Sequence, residues 1–160
     1  MKSNCRITVS RMSWISIVFL MLALSLPALA SLGGDFTSVQ QDKAQMKGTL
    51  KSTQAAAYTV HEITAPGKIV IKEYVSPAGK VFAVVWHGPF VPNMQQLLGS
   101  YYQQFADAAA AKRESHLRQR GLNVQQQDLV IQNGGHPRAY FGKAYVPSLF
   151  PQGVTMDQIQ

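Results

Sequence analysis

The residues able to do chemistry in this 160-residue chain are few and dispersed. Four histidines, His61, His87, His116 and His136, come first, because a neutral imidazole can ligate a metal or accept a proton near neutral pH. None stands in a His-x-His or His-x-x-x-His pair, carboxylates are sparse beside them and no cysteine is near, so the pattern implies no metal site. A nucleophilic triad could be drawn on paper from Ser76 or Ser100, a histidine and Asp128. No Gly-x-Ser-x-Gly elbow surrounds either serine, and Ser76 before Pro77 is accounted for as a turn residue. Glu62 and Glu73 could meet diagonally across paired strands as an acid–base couple. The competing reading is two solvated sheet-surface glutamates, or glutamates paired with Lys68 and Lys80. The run Gly134-Gly135-His136-Pro137-Arg138 remains. Its glycines permit close backbone approach, and Arg138 with Lys143 could hold an anion. The same run also reads as a plain hairpin turn that needs positive φ.

Targeting narrows the setting in which such chemistry would operate. Lys2, Arg6 and Arg11 precede an apolar run from Trp14 to Leu26, and Pro27 and Ala28-Leu29-Ala30 follow. That order reads as a secretory signal peptide over residues 1–30, cut between Ala30 and Ser31. The run is shorter than the ~20 apolar residues of a membrane span, so no span is expected after cleavage. Residues 31–160 then form one exported domain, periplasmic or secreted. Three cations leave with the signal, so the net charge of +7 falls to +4, from 12 Lys plus Arg against 8 Asp plus Glu. This modest charge suits anionic envelope polymers better than nucleic acid. Cys5 is the only cysteine and lies in the signal, so the exported domain carries no disulfide or thiol nucleophile and must be held by its apolar core.

The elements that must position these residues can be read in order. Residues 31–36 carry two glycines and read as a flexible lead-in. Thr37 to Lys47 reads as a short helix stopped by Gly48. Ala57–Ile63, Ile69–Val75 and Lys80–His87 are β-branched, aromatic runs joined by the turns Ala65-Pro66-Gly67-Lys68 and Ser76-Pro77-Ala78-Gly79, an antiparallel meander. A bulged type I turn at Ser76–Gly79 would pair Tyr74 near Phe82 and place Tyr74, Phe82, Val84 and Trp86 on one face. Val81–Trp86 is apolar on both faces, as a central strand is. Asn93 with Gln96 makes a capping box for a helix to about Arg113. Strands ending near Gln132 and spanning Arg138–Val146 form a closing hairpin.

Several of these stretches look familiar together. They are Tyr58-Thr59-Val60-His61-Glu62, Glu73-Tyr74-Val75-Ser76-Pro77 through Phe82-Ala83-Val84, Trp86-His87-Gly88-Pro89, Leu97-Leu98-Gly99, and Gly134-Gly135-His136 to Tyr145. With Leu32-Gly33-Gly34 and Ser38-Val39 they resemble the proteobacterial family of exported proteins catalogued as domain of unknown function 2844. The resemblance implies an exported single-domain protein and brings no activity, cofactor or catalytic residue.

The expectation is an α+β domain with about five mainly antiparallel strands, one main helix on one face and a short N-terminal helix. Its candidate binding residues are Trp86, His87, His136, Arg138 and Lys143, on the loop after Trp86 and the glycine-rich tip. The functional expectation is a non-enzymatic envelope protein that binds a partner protein or an anionic cell-surface polymer, or assists assembly, without a cofactor. The alternative is a small hydrolase or transferase using His61, His87 or His136.

Overall fold

The computed structural model describes residues 32–114, 121–126 and 128–160. The signal segment with its cleavage site, and His116, lie outside them. The architecture is α+β. A single antiparallel sheet has strand order β1-β2-β3-β4-β7-β6-β5. The strands are β1 Thr49–Gln54, β2 Thr59–Ala65, β3 Ile69–Val75, β4 Val81–Gly88, β5 Leu122–Gln126, β6 Leu129–His136 and β7 Ala139–Tyr145. The helices are α1 Phe36–Gln45, α2 Met94–Leu98 and α3 Tyr102–Glu114. Among the described residues, no helix is long and apolar enough to cross a membrane.

The sheet has seven strands where five were expected, and both additions are edges. β1 reads TLKSTQ and is exposed at all positions but Leu50, and β5 reads LNVQQ with only Val124 buried. A strand with only one or two covered side chains shows little apolar alternation to betray it, and a polar edge also discourages pairing with other chains. The centre matches expectation. β4 lies mid-sheet between β3 and β7 and is buried from Val81 to Val84.

Register departs from expectation by one residue. Tyr74 pairs with Ala83 and Val70 with His87, while Val75 pairs with Val81, leaving Phe82 as the extra residue of a bulge. The preceding turn is closed as anticipated, with Gly79 at φ +75° and its N–H donating to the Ser76 carbonyl over 2.8 Å. The bulge just past that turn shifts everything downstream. Because strand side chains alternate with period two, one residue of slip exchanges the faces. Val84 and Trp86 therefore join Glu73 and Ile71 rather than Tyr74.

One face is dry. Ile63, Ile71, Val84, Trp86, Ile131 and Ala144 pack there beneath Val39, Met94, Leu97 and Leu98 of the helices. A Leu50-Ile63-Ile71-Trp86-Gly142-Asn133-Leu122 row runs across all seven strands. The row beside it is Ser52-His61-Glu73-Val84-Ala144-Ile131-Val124. The other face is half covered by the C-terminal segment, where Val154 and Ile159 pack with Tyr74, Phe82 and Ala83.

The main helix is broken. Asn93 caps α2, accepting from the Gln96 N–H at 3.2 Å, but Gly99 (φ 51°, ψ −121°) interrupts it with a 3-10 turn before α3 begins. The lead-in is held in place rather than free. The Gly33 N–H donates to the Val81 carbonyl at 2.8 Å, the Val81 N–H to the Gly34 carbonyl at 2.9 Å, and Leu32 is buried.

Gly142 is the tightest seat in the core row. A Cβ there would fall 2.7 Å from Trp86 Cε2 and 2.9 Å from the Asn133 Cβ, so the indole lies flat where a side chain would stand. Gly142→Ala is expected to lower unfolding stability by about 2 kcal/mol, the cost of overpacking a well-filled core. Urea denaturation checks this; an unchanged midpoint would show that the indole is not seated there.

Candidate functional site

Three of the five candidate binding residues meet on the open face. His87, Lys143 and Trp86 line a groove of about 440 Å³, together with Val85, Phe141, Gln132 and Gln160. β4 and β7 set the geometry. His87 pairs with Phe141 and Val85 with Lys143, so the four side chains alternate outward from adjacent strands. His87 lies within β4, paired on both sides, and not in the loop after it. Trp86 is 1% exposed and its side chain belongs to the opposite row, so it contributes floor rather than wall. Phe141 is 60% exposed, the least expected member of the set. No Asp or Glu side chain lines the groove, and Lys143 stands there among apolar side chains and the amides of Gln132 and Asn133.

The other two candidates, His136 and Arg138, are not brought to this groove. β6 runs on through Asn133-Gly134-Gly135 to His136, which pairs with Ala139, leaving Pro137-Arg138 as a two-residue turn. Arg138 sits three residues along β7 from Phe141, about 10 Å at ordinary strand rise. The glycines thus lie in the ladder rather than at the tip. What approaches their backbone is the protein's own Phe141 ring, whose Cζ would be 3.3 Å from a Cβ on Gly134. Arg138 adopts φ 72°, a left-handed conformation uncommon outside glycine, asparagine and aspartate.

Next to the groove, the C-terminal segment lies across the sheet. Tyr74 Oη donates to the Gln160 main-chain oxygen at 2.7 Å and Lys72 Nζ to the same oxygen at 3.1 Å. Beyond it a second groove of about 310 Å³ is lined by Lys51, Tyr58, Glu62 and Lys72 among others. Lys51, Glu62, Lys72, Val85, Lys143 and Gln132 form one continuous cross-strand row on this face.

On the dry face a different constellation appears. Asp42 of α1 and Glu73 of β3 are both 0% exposed. Gln96 Nε2 of α2 donates to Asp42 Oδ1 at 2.7 Å, while Asp42 Oδ2 and both Glu73 carboxyl oxygens have no hydrogen-bond partner of the ordinary donor–acceptor kind. Burial pushes the Asp42 carboxyl up to about 6, against the pull of the Gln96 and Glu73 hydrogen bonds. Burial, and then the Asp42 charge and its hydrogen bond, push Glu73 well above the usual carboxylate range. Both directions follow from two acids facing each other in an apolar layer with no cation to compensate. Glu73 is therefore neither a solvated surface glutamate nor coupled to Glu62; it is buried against Asp42. Glu62 points to the opposite face, paired with Lys51 and Lys72.

His61 adjoins this pair in register, between Ser52 and Glu73. Its Nδ1 lies 2.8 Å from Ser52 Oγ, the Phe36 ring packs at 5.0 Å, and burial lowers its pKa. The described histidines thus occupy three separate places: His61 on the dry face, His87 on the open face and His136 beside the hairpin turn. Ser76 serves its turn, accepting from the Lys80 N–H at 3.3 Å, and Asp128 accepts from the Ser148 N–H at 3.0 Å. Among the described residues no group of three or more His, Cys, Asp and Glu is placed to hold a metal.

Asp42, Gln96 and Phe141 escaped the sequence reading. Asp42 did stand at helical spacing with Val39 and Met46, the buried stripe of α1, and that spacing was the available signal. Gln96 was assigned to the cap, yet its side chain reaches Asp42 instead.

The chain belongs to the family described as protein of unknown function (DUF2844), whose model matches residues 28–159. Comparison with curated proteins found no match, and neither did comparison with solved structures.

Arg138 offers a direct test of the hairpin geometry. Arg138→Gly removes the left-handed penalty at the turn, at the cost of greater freedom in the unfolded chain. The expected net change is a gain of about 0.5 kcal/mol in unfolding stability, read as a raised melting temperature. A loss of stability would mean that the Arg138 side chain holds the tip.

Proposed function

We propose that this is a non-enzymatic binding or assembly-accessory protein of the bacterial envelope, exported by residues 1–30 and folded over 31–160, whose open sheet face captures an anionic cell-surface polymer. The observation that carries this reading is the convergence of Lys143, His87 and the exposed Phe141 on one groove of about 440 Å³ that no Asp or Glu side chain lines. A cationic head set among apolar walls attracts an anionic chain by charge and retains it by contact with its apolar parts. The groove is open and shallow, as suits a polymer that passes along the face. Lys72 lies two strands from Lys143 in the same cross-strand row, with its Nζ on the Gln160 main-chain oxygen at the edge of the neighbouring groove. The partner-protein reading uses the same surface and differs only in what is captured.

The test is retention of dextran sulfate against uncharged dextran, with affinity followed as salt is raised. The triple variant His87→Ala, Phe141→Ala, Lys143→Ala is expected to lose about tenfold in affinity, equivalent to ~1.4 kcal/mol, with its melting temperature nearly unchanged. His136→Ala with Arg138→Ala is expected to bind like the parent. Unaltered capture by the triple variant would remove this groove from consideration.

One contact favours the alternative, a small histidine-dependent hydrolase or transferase: Ser52 Oγ, on the exposed edge strand, lies 2.8 Å from His61 Nδ1. A serine held beside a neutral imidazole is the starting arrangement for nucleophilic catalysis. Glu73 is the neighbouring acid but turns toward Asp42, leaving the imidazole without a third group to orient it. Labelling by a fluorophosphonate reports on this reading. Modification of Ser52 that disappears in His61→Ala would establish an activated serine; an unlabelled protein would end the proposal.

A further inference from the structure

The buried acids of the dry face take no part in the groove, and their geometry carries a separate conclusion. Two carboxyls with zero exposure face each other between α1 and β3, and three of their four oxygens lack a conventional donor. A buried polar atom left without a partner is costly, and a buried charge without a counter-charge far more so. One proton relieves both problems, leaving a single Glu73 oxygen without a donor and a single charge. Placed on Glu73 and donated to Asp42 Oδ2, it supplies the missing hydrogen bond and leaves a single negative charge, which Gln96 Nε2 already meets on Asp42 Oδ1.

We propose that Asp42 and Glu73 together form a buried site for one proton, and that this proton latches α1 onto the sheet. When it leaves to solvent base, two carboxylates confront each other in an apolar layer, and the weaker attachment yields. That attachment is α1. β3 is held by ladders to β2 and β4 on both sides, whereas α1 rests on Val39, Ser38 and Asp42 as its buried residues.

From β2 the facing titratable group is His61, from β4 the register partner is apolar Val84, and from α2 it is neutral Gln96. On α1 itself Lys43 is the adjacent cation, and neither it nor any other cation contributes to the position of either acid. Asp35 is spent at the N-cap, accepting from the Thr37 N–H at 2.9 Å.

The sign follows from linkage. Both acids have folded-state values raised above their ordinary ones, so their contribution is complete below the unfolded values and is lost as pH rises, through about 6 for Asp42 and through the raised range of Glu73. His61 acts oppositely. Its value is lowered, so its penalty grows as pH falls below the ordinary 6.5, on the acid side of the latch.

Hydrogen exchange in the intact protein, corrected for the intrinsic rate at each pH, isolates the α1 opening equilibrium from that of the sheet. In the parent the α1 opening constant is expected to rise with pH by about tenfold per pH unit for each proton that the closed pair retains and the open one has released, while the β4 amides hold steady. Glu73→Gln, whose amide mimics the protonated acid, should flatten that slope. A slope that persists in Glu73→Gln overturns the latch, and so does α1 opening only together with β4. Should Glu73→Gln fail to fold, carboxyl-carbon NMR of the parent decides. One protonated carboxyl across the pair at a pH above about 6, with α1 protected, is the expected result. Two ionised carboxyls under a protected α1 would refute it, and would indicate a bound cation in the proton's place.

Discussion

The one-residue offset in the β3–β4 ladder governs most of what this protein presents. Phe82 is the extra residue, squeezed out where Val75 meets Val81 and Tyr74 meets Ala83. Everything beyond it in β4 is thereby turned over. Val84 and Trp86 go to the helices, and Val85 and His87 go to the open side. Because β4 is also the strand on which β7 registers, the offset passes outward to Gly142 beneath Trp86 and to Phe141 and Lys143 beside His87. Without it Trp86 would face the open side, and Gly142 would have no indole to accommodate.

The two faces that result carry different physics. The dry face is a continuous apolar layer closed by three helices, and the electrostatic problem within it is solved by pairing two acids rather than an acid with a base. A buried ion pair would have to recover two desolvation costs through one good geometry, while a protonated acid pair recovers them through one hydrogen bond and keeps a single charge. The open face is lined instead by lysines, a histidine, glutamines and one exposed aromatic ring, with the C-terminal segment lying over Tyr74 and Phe82. Burial pushes the Tyr74 phenol up, and its hydrogen bonds with Gln160 hold that segment across the sheet. The apolar core closes on one face and the groove opens on the other, and the offset decides which residue serves which.

Much of the fold was legible in the residues. β3 was delimited as it stands, β4 and β7 within a residue or two, and Asn93 and Gly79 did what their types require. The edges were not legible, because Thr49–Gln54 and Leu122–Gln126 are polar strands that owe their conformation to a neighbour's hydrogen bonds rather than to an apolar pattern. Nor was the break at Gly99, since a helical stripe runs unbroken through Leu98, Tyr101, Tyr102 and Phe105 regardless of one residue's φ. Of the candidate residues, His87, Lys143 and Trp86 were identified by type, but their meeting depended on the ladder.

By itself, then, the chain determined its local vocabulary. Turn residues with positive φ, a capped helix start and a central apolar strand each follow from backbone sterics and burial within a few residues. Their mutual placement was a tertiary decision. The bulge set which side chains share a face, and a bulge depends on how two strands settle against a whole layer rather than on either strand alone. The same holds for Asp42 and Glu73. They are separated by 30 residues and unremarkable one at a time, and they become a proton-sharing pair only because α1 packs on the sheet at β2 and brings Asp42 to Glu73 of the adjacent β3, with the apolar core closed around both.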